Sequence, residues 1–280
     1  MKLLSGKRAL VTGASRGIGR AIARRFAAEG ATVGVHYGSN EDAAQETLAA
    51  IRNAGGQAFP VKADLSLEGS VDVLFGKLES ELDGKLLDIL VNNAAIGGLM
   101  GGIAGTSRGE FDRVFAVNVR APFFIIQRAL PLMRDGGRII NISSADTRIA
   151  IPGEIAYSMT KGAINVLSRT LAHAVGARGI TVNAIAPGIT ETGKLTFLHE
   201  HPEIEAMTRA AIALGRIGEP EAIADIVAFL ASNDARWITG QVLDASGGLC
   251  LGPPDLLAEG RLKTDFARAA APESATRFSH

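Results

Sequence analysis

Short, almost wholly apolar runs alternate along this chain with longer segments whose apolar residues recur at helical spacing. RALVTG (8–13), TVGVHY (32–37), AFPVKA (58–63), DILVNNA (88–94), GRIINIS (137–143), TVNAIA (181–186) and GQVLDA (240–245) read as strands. Between them, Ile18, Ile22 and Phe26 recur every fourth position up to Glu29-Gly30, an amphipathic helix ended by glycine. Residues 40–56 read as a helix with Asn40 as N-cap, early acids and a glycine stop. Further helices are expected from Ser66 to about Leu82, around 109–133, over the alanine-rich segment bearing Tyr157, and from Pro220 to Leu230. Strands alternating with helices predict an α/β protein with a parallel sheet covered on both faces, and the strands' continuous apolar character agrees. No domain-length linker and no internal repeat interrupts the pattern.

Composition narrows the class further. The mass is 29.1 kDa, the hydrophobic fraction 47% and the mean hydropathy +0.19, which suits a well-packed soluble protein. Lys+Arg and Asp+Glu are both 29, a formal net charge of +0, so nothing points to nucleic acid or an anionic membrane. One cysteine, Cys250, excludes an intramolecular disulfide and is too few for a structural zinc site. No hydrophobic stretch is long enough for a signal peptide or a membrane span. A cytoplasmic enzyme is the leading expectation.

Two short stretches carry chemistry. TGASRGIG (12–19) lies between the first strand and its helix. Glycines at 13, 17 and 19 let the backbone turn sharply and approach a pyrophosphate, which the helix N-terminus stabilises. IAYSMTKGAIN (155–165) places Tyr157 and Lys161 one helical turn apart on a segment otherwise built for burial. Taken alone, the pair is either a tyrosine reaching the surface beside a solvated lysine or an acid–base couple. No HExxH motif or Cys/His cluster offers metal ligands, and no GxSxG elbow supports acyl-enzyme chemistry. The five histidines are scattered, and His199 and His201 read as surface residues.

The GxxxGxG spacing combined with Tyr157-x-x-x-Lys161 resembles the short-chain dehydrogenase/reductase family, closest in look to reductases of 3-oxoacyl thioesters carried on acyl carrier protein. LVNNAA (90–95) matches the family's NNAG, with Ala95 in place of the glycine. Ser144 lies thirteen residues before Tyr157, Asn118 sits in FAVNVRAPF, and APG (186–188) precedes Thr192. GRIGEPEAIA and ITGQVLDASGG match the closing segments, so the resemblance runs from residue 5 to about 251. It implies a single-domain, doubly wound Rossmann sheet over residues 1–251, with 252–280 as a C-terminal extension.

The resemblance also implies roles. Asn118, Ser144, Tyr157 and Lys161 would be the catalytic tetrad: Tyr157 the general acid, Ser144 a donor to the substrate oxygen, and Asn118 a kink holding a water that leads from Lys161 to solvent. Ser143 would be a non-catalytic neighbour. A phenol near ~10 is poorly matched to neutral pH, and Lys161 is expected to lower it. Cofactor contacts would come from Gly13, Ser15, Arg16, Gly17, Ile18, Gly19, Ser39, Asn40, Asp64, Leu65, Asn92, Asn93, Ala94, Tyr157, Lys161, Pro187, Gly188, Thr190 and Thr192. NAD readers place an acid at the end of the second strand. Here HYGSN (36–40) has none, and Glu41 and Asp42 fit the next helix's first turn. Arg16, Ser39 and Asn40 are available for a 2′-phosphate, so NADP(H) is favoured while NAD(H) stays open. Asp64 resembles the residue that contacts adenine, or else caps the next helix.

The substrate is less defined. One loop, residues 96–110, is glycine-rich; the other, 194–217, reads as a mobile lid whose Leu195, Phe197, Leu198, Met207, Ile212 and Leu214 could cover an apolar ketone. Gly193 stands where relatives often have an acid. The first half of the 252–280 tail is expected to be ordered. Expected partners are a small-molecule carbonyl compound, free or carrier- or CoA-bound, and further copies of the chain in a homotetramer, with no nucleic acid and no membrane. Three readings follow: a carbonyl reductase, an alcohol or sugar dehydrogenase running oxidatively, and a nucleotide sensor without turnover.

Overall fold

The computed structural model describes residues 2–97, 101–193, 198 and 200–252. The 253–280 tail, Lys194, Leu195, Phe197, His199 and residues 98–100 of the first substrate loop lie outside the described residues. Seven strands form one parallel sheet: β1 (Arg8–Val11), β2 (Thr32–Tyr37), β3 (Gln57–Lys62), β4 (Leu87–Asn92), β5 (Met133–Ile142), β6 (Thr181–Pro187) and β7 (Val242–Ala245). Their order is β3-β2-β1-β4-β5-β6-β7, so the winding reverses between β1 and β4. That reversal opens a crevice at the carboxyl ends of the two strands, the place where such sheets bind ligands.

The helices are α1 (Gly17–Ala28), α2 (Glu41–Asn53), α3 (Ser70–Leu82), α4 (Gly102–Gly105), α5 (Arg108–Phe115), α6 (Ala121–Ala129), α7 (Ile155–Val175), α8 (Pro202–Ala211) and α9 (Pro220–Ala231). Successive strand residues point to opposite faces. Ala9, Val11, Val33 and Val35 therefore join Ile22 and Phe26 of α1, Leu48 of α2 and Val227 of α9 in one core. Leu10, Ile139 and Val182 join Leu74 and Leu78 of α3, Ile125 of α6 and Val175 of α7 in the other. This is the doubly wound arrangement the alternating pattern implied.

Local chemistry sets the boundaries. Asn40 caps α2, its Oδ1 accepting from Ala43 N at 3.0 Å, and Glu41 and Asp42 occupy the first turn. Ser107 and Glu110 form a reciprocal capping box at α5. Three boundaries differ from expectation. The helix expected over 109–133 breaks into α5, a π-turn at Ala116–Arg120, α6 and a 3-10 turn at Leu130–Leu132. Pro122 causes the first break, because it has no N–H for the carbonyl of Asn118 four residues back. The Ala121 N–H reaches Ala116 O instead, five residues back. The third helix starts at Ser70, not Ser66, since Asp64 Oδ1 accepts from Ser66 N at 3.0 Å and Ser66 Oγ at 2.7 Å and holds a turn there. Finally, β5 begins at Met133, which pairs with Leu87 ahead of a register shift. Its glycines at 136 and 137 conceal that extension in the sequence.

Candidate active site

The glycine-rich loop leaves β1 at the switch point. Gly13 and Gly17 have φ of +63° and +53°, and a Cβ on Gly19 would stand 2.2 Å from Gly13 O. Only glycine lets α1 start so close under the loop. Arg16, the α1 N-cap, offers no side-chain cap, and the first turn holds no acid. Among the described residues no side chain accepts from the first amides of α1, at a positive dipole end, which suits a pyrophosphate. Ser15 O accepts from Arg20 Nε at 3.0 Å and Thr47 Oγ1 at 3.1 Å, pinning the loop to α2. Ile18 is half-buried against the α1 core. Thr192, after β6, lies against Gly17, where an added Cβ would be 3.3 Å from Thr192 Cβ.

The neighbouring strand ends complete the cleft. Asn93 Nδ2 donates to Thr12 O at 2.8 Å and Gly13 O at 3.0 Å, and Thr12 Oγ1 accepts from Asn93 N and Ala94 N. Asn92 Nδ2 donates to Asn141 Oδ1 at 2.9 Å. Both side-chain nitrogens are spent on the protein's own frame, while Asn92 Oδ1 is buried with no partner among the described residues, and the main chain of 93–94 lies beside the loop. Arg16, Ser39 and Asn40 are exposed, and no carboxylate ends β2. Asn40 Oδ1 is committed to its helix cap. Asp64 is exposed, with its carboxyl held below the usual range chiefly by its Ser66 hydrogen bonds, while Leu65 is buried. Pro187 ends β6, Gly188 N donates to Ala245 O at 3.3 Å, and Thr190 Oγ1 donates to Gly188 O at 2.9 Å. These residues fit a dinucleotide.

Beside this cleft, α7 brings in Tyr157 and Lys161. Lys161 is buried, and its Nζ donates to Ile142 O at 2.8 Å. Ser144, which follows β5 and whose Oγ accepts from Asp146 N at 3.2 Å, is the side chain that favours ionisation of the Tyr157 phenol. Ser143 Oγ instead donates to the Lys161 carbonyl at 3.4 Å, away from the phenol. Asn118, on the π-turn, exchanges bonds with Ile96: its Oδ1 accepts from Ile96 N at 2.9 Å and its Nδ2 donates to Ile96 O at 2.8 Å. The same Nδ2 reaches Thr160 Oγ1 at 3.1 Å, and Thr160 Oγ1 donates to Tyr157 O at 2.6 Å. Asn118 is thereby linked through Thr160 to the Tyr157 main chain, and Lys161 lies over the Tyr157 ring.

The electrostatics correct one expectation. Tyr157 is pushed above the ordinary phenol range, not below it, by burial first and then by Asp146 and Glu154; the Ser144 hydroxyl opposes this. The Lys161 ammonium does not offset this: it lies over the ring, 5.5 Å from the centroid, and donates to Ile142 O. Burial pushes Lys161 itself down to about 8. Glu154 is raised by burial and by its hydrogen-bonded neighbour Asp146.

Sequence reasoning missed four contributors: Thr160, Asp146, Glu154 and His36. His36 Nδ1 accepts from Gly13 N at 3.0 Å, and the signal for it was a polar residue inside the apolar run TVGVHY. The lid is also different from expectation. Leu198 and Ile212 are buried, but Met207 and Leu214 face outward, as α8 is short and lies on the surface. Its base needs no acid at Gly193: Thr190 bridges Gly218, and Glu191 N donates to Gly218 O at 2.8 Å.

Fold and site together define an NAD(P)-dependent oxidoreductase acting on CH–OH/C=O groups. A family model described as Enoyl-(Acyl carrier protein) reductase matches residues 13–250, and the chain belongs to the short-chain dehydrogenase/reductase family. It is similar to the promiscuous reductase LugOII, which catalyses keto-reduction at C1 during lugdunomycin biosynthesis: 52% identity and a TM-score of 0.85 over 89% of this chain and 99% of that one. The angucycline C-6 ketoreductase LanV, whose crystal structure holds NADP, matches at 52% identity and a TM-score of 0.85, over 89% and 98%. The 3beta-hydroxysteroid dehydrogenase 1 of Eggerthella lenta is 41% identical over 89% of this chain and 96% of its own length. Among the described residues, no helix is long and apolar enough to cross a membrane.

Proposed function

We propose that this enzyme uses NADPH to reduce a ketone on a polycyclic, angucycline-like compound to a secondary alcohol, with Tyr157 as the proton donor. The observation that carries the reading is the Ser144 hydroxyl acting on the Tyr157 phenol, with Lys161 buried one turn along α7, next to a glycine-rich cleft that has an exposed arginine and no acid at the end of β2. The NADP held by LanV and the keto-reductions performed by LanV and LugOII support the cofactor and the substrate class.

In this reading the glycine loop, Asp64 and the 187–192 segment hold the dinucleotide, and Arg16 meets its 2′-phosphate. The nicotinamide, when bound, supplies the hydride. Ser144 donates to the carbonyl oxygen and stabilises the charge that builds there. Tyr157 passes its hydroxyl proton to that same oxygen. Although the phenol is a weak acid in this site, the forming alkoxide is more basic still, so the transfer runs downhill. Lys161, cationic below about 8, then stabilises the phenolate left behind. Asn118 fixes the turn that faces Thr160 and Tyr157.

The same reading includes a cytoplasmic homotetramer. Phe111, Phe123, Phe124, Met159 and Val166 support it, since they are apolar and exposed on the helices flanking Asn118 and Tyr157. A 3-oxoacyl thioester is the second substrate class, and the steroid dehydrogenase relative favours testing the oxidative direction as well. The test is fluorescence titration with NADPH and then NADH, each followed by polycyclic ketones and a 3-oxoacyl thioester. NADPH oxidation with the polycyclic ketones is expected, and Tyr157→Phe should keep binding and lose turnover. Preference for NADH, or turnover of the thioester alone, overturns the reading.

A further inference from the structure

The geometry points to His36 as the residue that positions the dinucleotide-binding loop. His36 occupies the fifth position of β2 and is 1% exposed. Its Nδ1 accepts from Gly13 N at 3.0 Å, and its Nε2 lies 3.0 Å from Ala63 O. Only one tautomer satisfies both contacts: a neutral imidazole with its proton on Nε2. The main chain adds a third tie, because Ala14 N donates to His36 O at 2.8 Å.

These bonds converge on one residue. Gly13 is held by His36 at its N–H and by Asn93 Nδ2 at its carbonyl, 3.0 Å away. That carbonyl is the atom a Cβ on Gly19 would strike, so its place fixes how closely α1 starts beneath the loop. At the other end of the ring, Ala63 precedes Asp64, the residue proposed to meet the adenine. One side chain thus sets the spacing between the loop under the pyrophosphate and the strand end under the adenine. Burial keeps the imidazole neutral, with Asp64 the charged group acting on it.

The inference rests on the dinucleotide-binding reading, so the experiment separates the two. NADPH affinity is measured by fluorescence for the wild type, His36→Leu and His36→Asn, together with Tm, kcat and KM for NADPH. His36→Leu removes both bonds. Its Kd should rise about tenfold, what a loss of about 1.4 kcal/mol gives, while kcat stays within about twofold because Tyr157 and Ser144 are untouched. In His36→Asn the amide oxygen can replace Nδ1 as acceptor for Gly13, and the Kd should return to within about threefold of wild type. If His36→Leu does not fold, an intact Kd and kcat in His36→Asn beside a raised Kd in His36→Gln, which cannot present the acceptor at the same place, carries the same test. A histidine that merely stabilises the fold would lower Tm in each variant with Kd unchanged, and that result overturns the inference. Wild-type protein that binds no NADPH overturns the dinucleotide reading itself.

Discussion

Gly97 follows β4 with no room for a side chain. A Cβ there would lie 2.3 Å from Tyr157 Cδ2 and 2.9 Å from both Cε2 and Cγ. Non-bonded carbons settle at about 3.5–4.0 Å, so Gly97→Ala requires the ring or the loop to move by more than about 1 Å. Ring movement is the expected response, because Ile96 next door is clamped at both its N–H and its carbonyl by Asn118. A displacement of that size at a reacting group costs roughly a hundredfold in rate, or about 2.7 kcal/mol in the barrier. The assay is steady-state ketone reduction at saturating NADPH, with the NADPH Kd measured in parallel. We expect kcat to fall about a hundredfold while Kd stays within about threefold, since the glycine loop is held by Asn93 and His36 and not by the phenol. A variant with wild-type kcat would show that the loop yields and the ring does not, and the argument for a fixed Tyr157 would fail.

Three further outcomes follow from the same geometry. Arg16→Ala should weaken NADPH by about tenfold or more, the loss of a charge-assisted hydrogen bond, and leave NADH unchanged; parallel fluorescence titrations check this. Because burial brings Lys161 down to about 8, its cation is present below that pH and lost above it. The kcat/KM for NADPH in ketone reduction, which reports the free enzyme, should be level through neutrality and fall above pH 8; a level profile to pH 10 refutes the assignment. His36, lowered from 6.5 to about 4 by burial, binds its proton less readily when folded than when unfolded. It should therefore contribute about 3 kcal/mol of stability that is present above pH 6.5 and lost as pH falls toward 4, so urea unfolding of His36→Asn should show a shallower pH dependence than wild type over that window.

What could be read in the sequence was whatever local pattern determines. The strand–helix alternation, the glycine triplet and the Tyr157–Lys161 spacing are set by periodicities of two and 3.6, and the sheet follows them. The helix over 109–133 was misread because Pro122 breaks it without ending it: the chain continues as a π-turn, and that turn aims Asn118 at Ile96 and Thr160. His36 stood in plain view in TVGVHY, yet its partners lie 23 residues before it and 27 after it. Only strand order, with β1 beside β2 and β2 beside β3, brings them together. The lid's apolar residues looked equivalent in one dimension. They separate once α8 is in place, with Ile212 inward and Met207 and Leu214 outward.

The electrostatics of Tyr157 bear on the direction of the reaction. A tyrosine–lysine pair one turn apart suggests a phenol primed for ionisation, but the folded site opposes ionisation. Burial dominates, Asp146 and Glu154 add negative charge, and the Lys161 ammonium lies over the ring, not at the hydroxyl. Burial and Asp146 raise Glu154 above the ordinary carboxyl range. The resting state is therefore the phenol, loaded with the proton that ketone reduction consumes. Running in the opposite direction, the enzyme would first have to release that proton, and it must do so against buried surroundings and two nearby carboxyls. In reduction the phenol gives up its proton against the same surroundings, but the forming alkoxide takes it in the same step; on the proposed mechanism the charge arrangement around α7 therefore favours reduction at neutral pH.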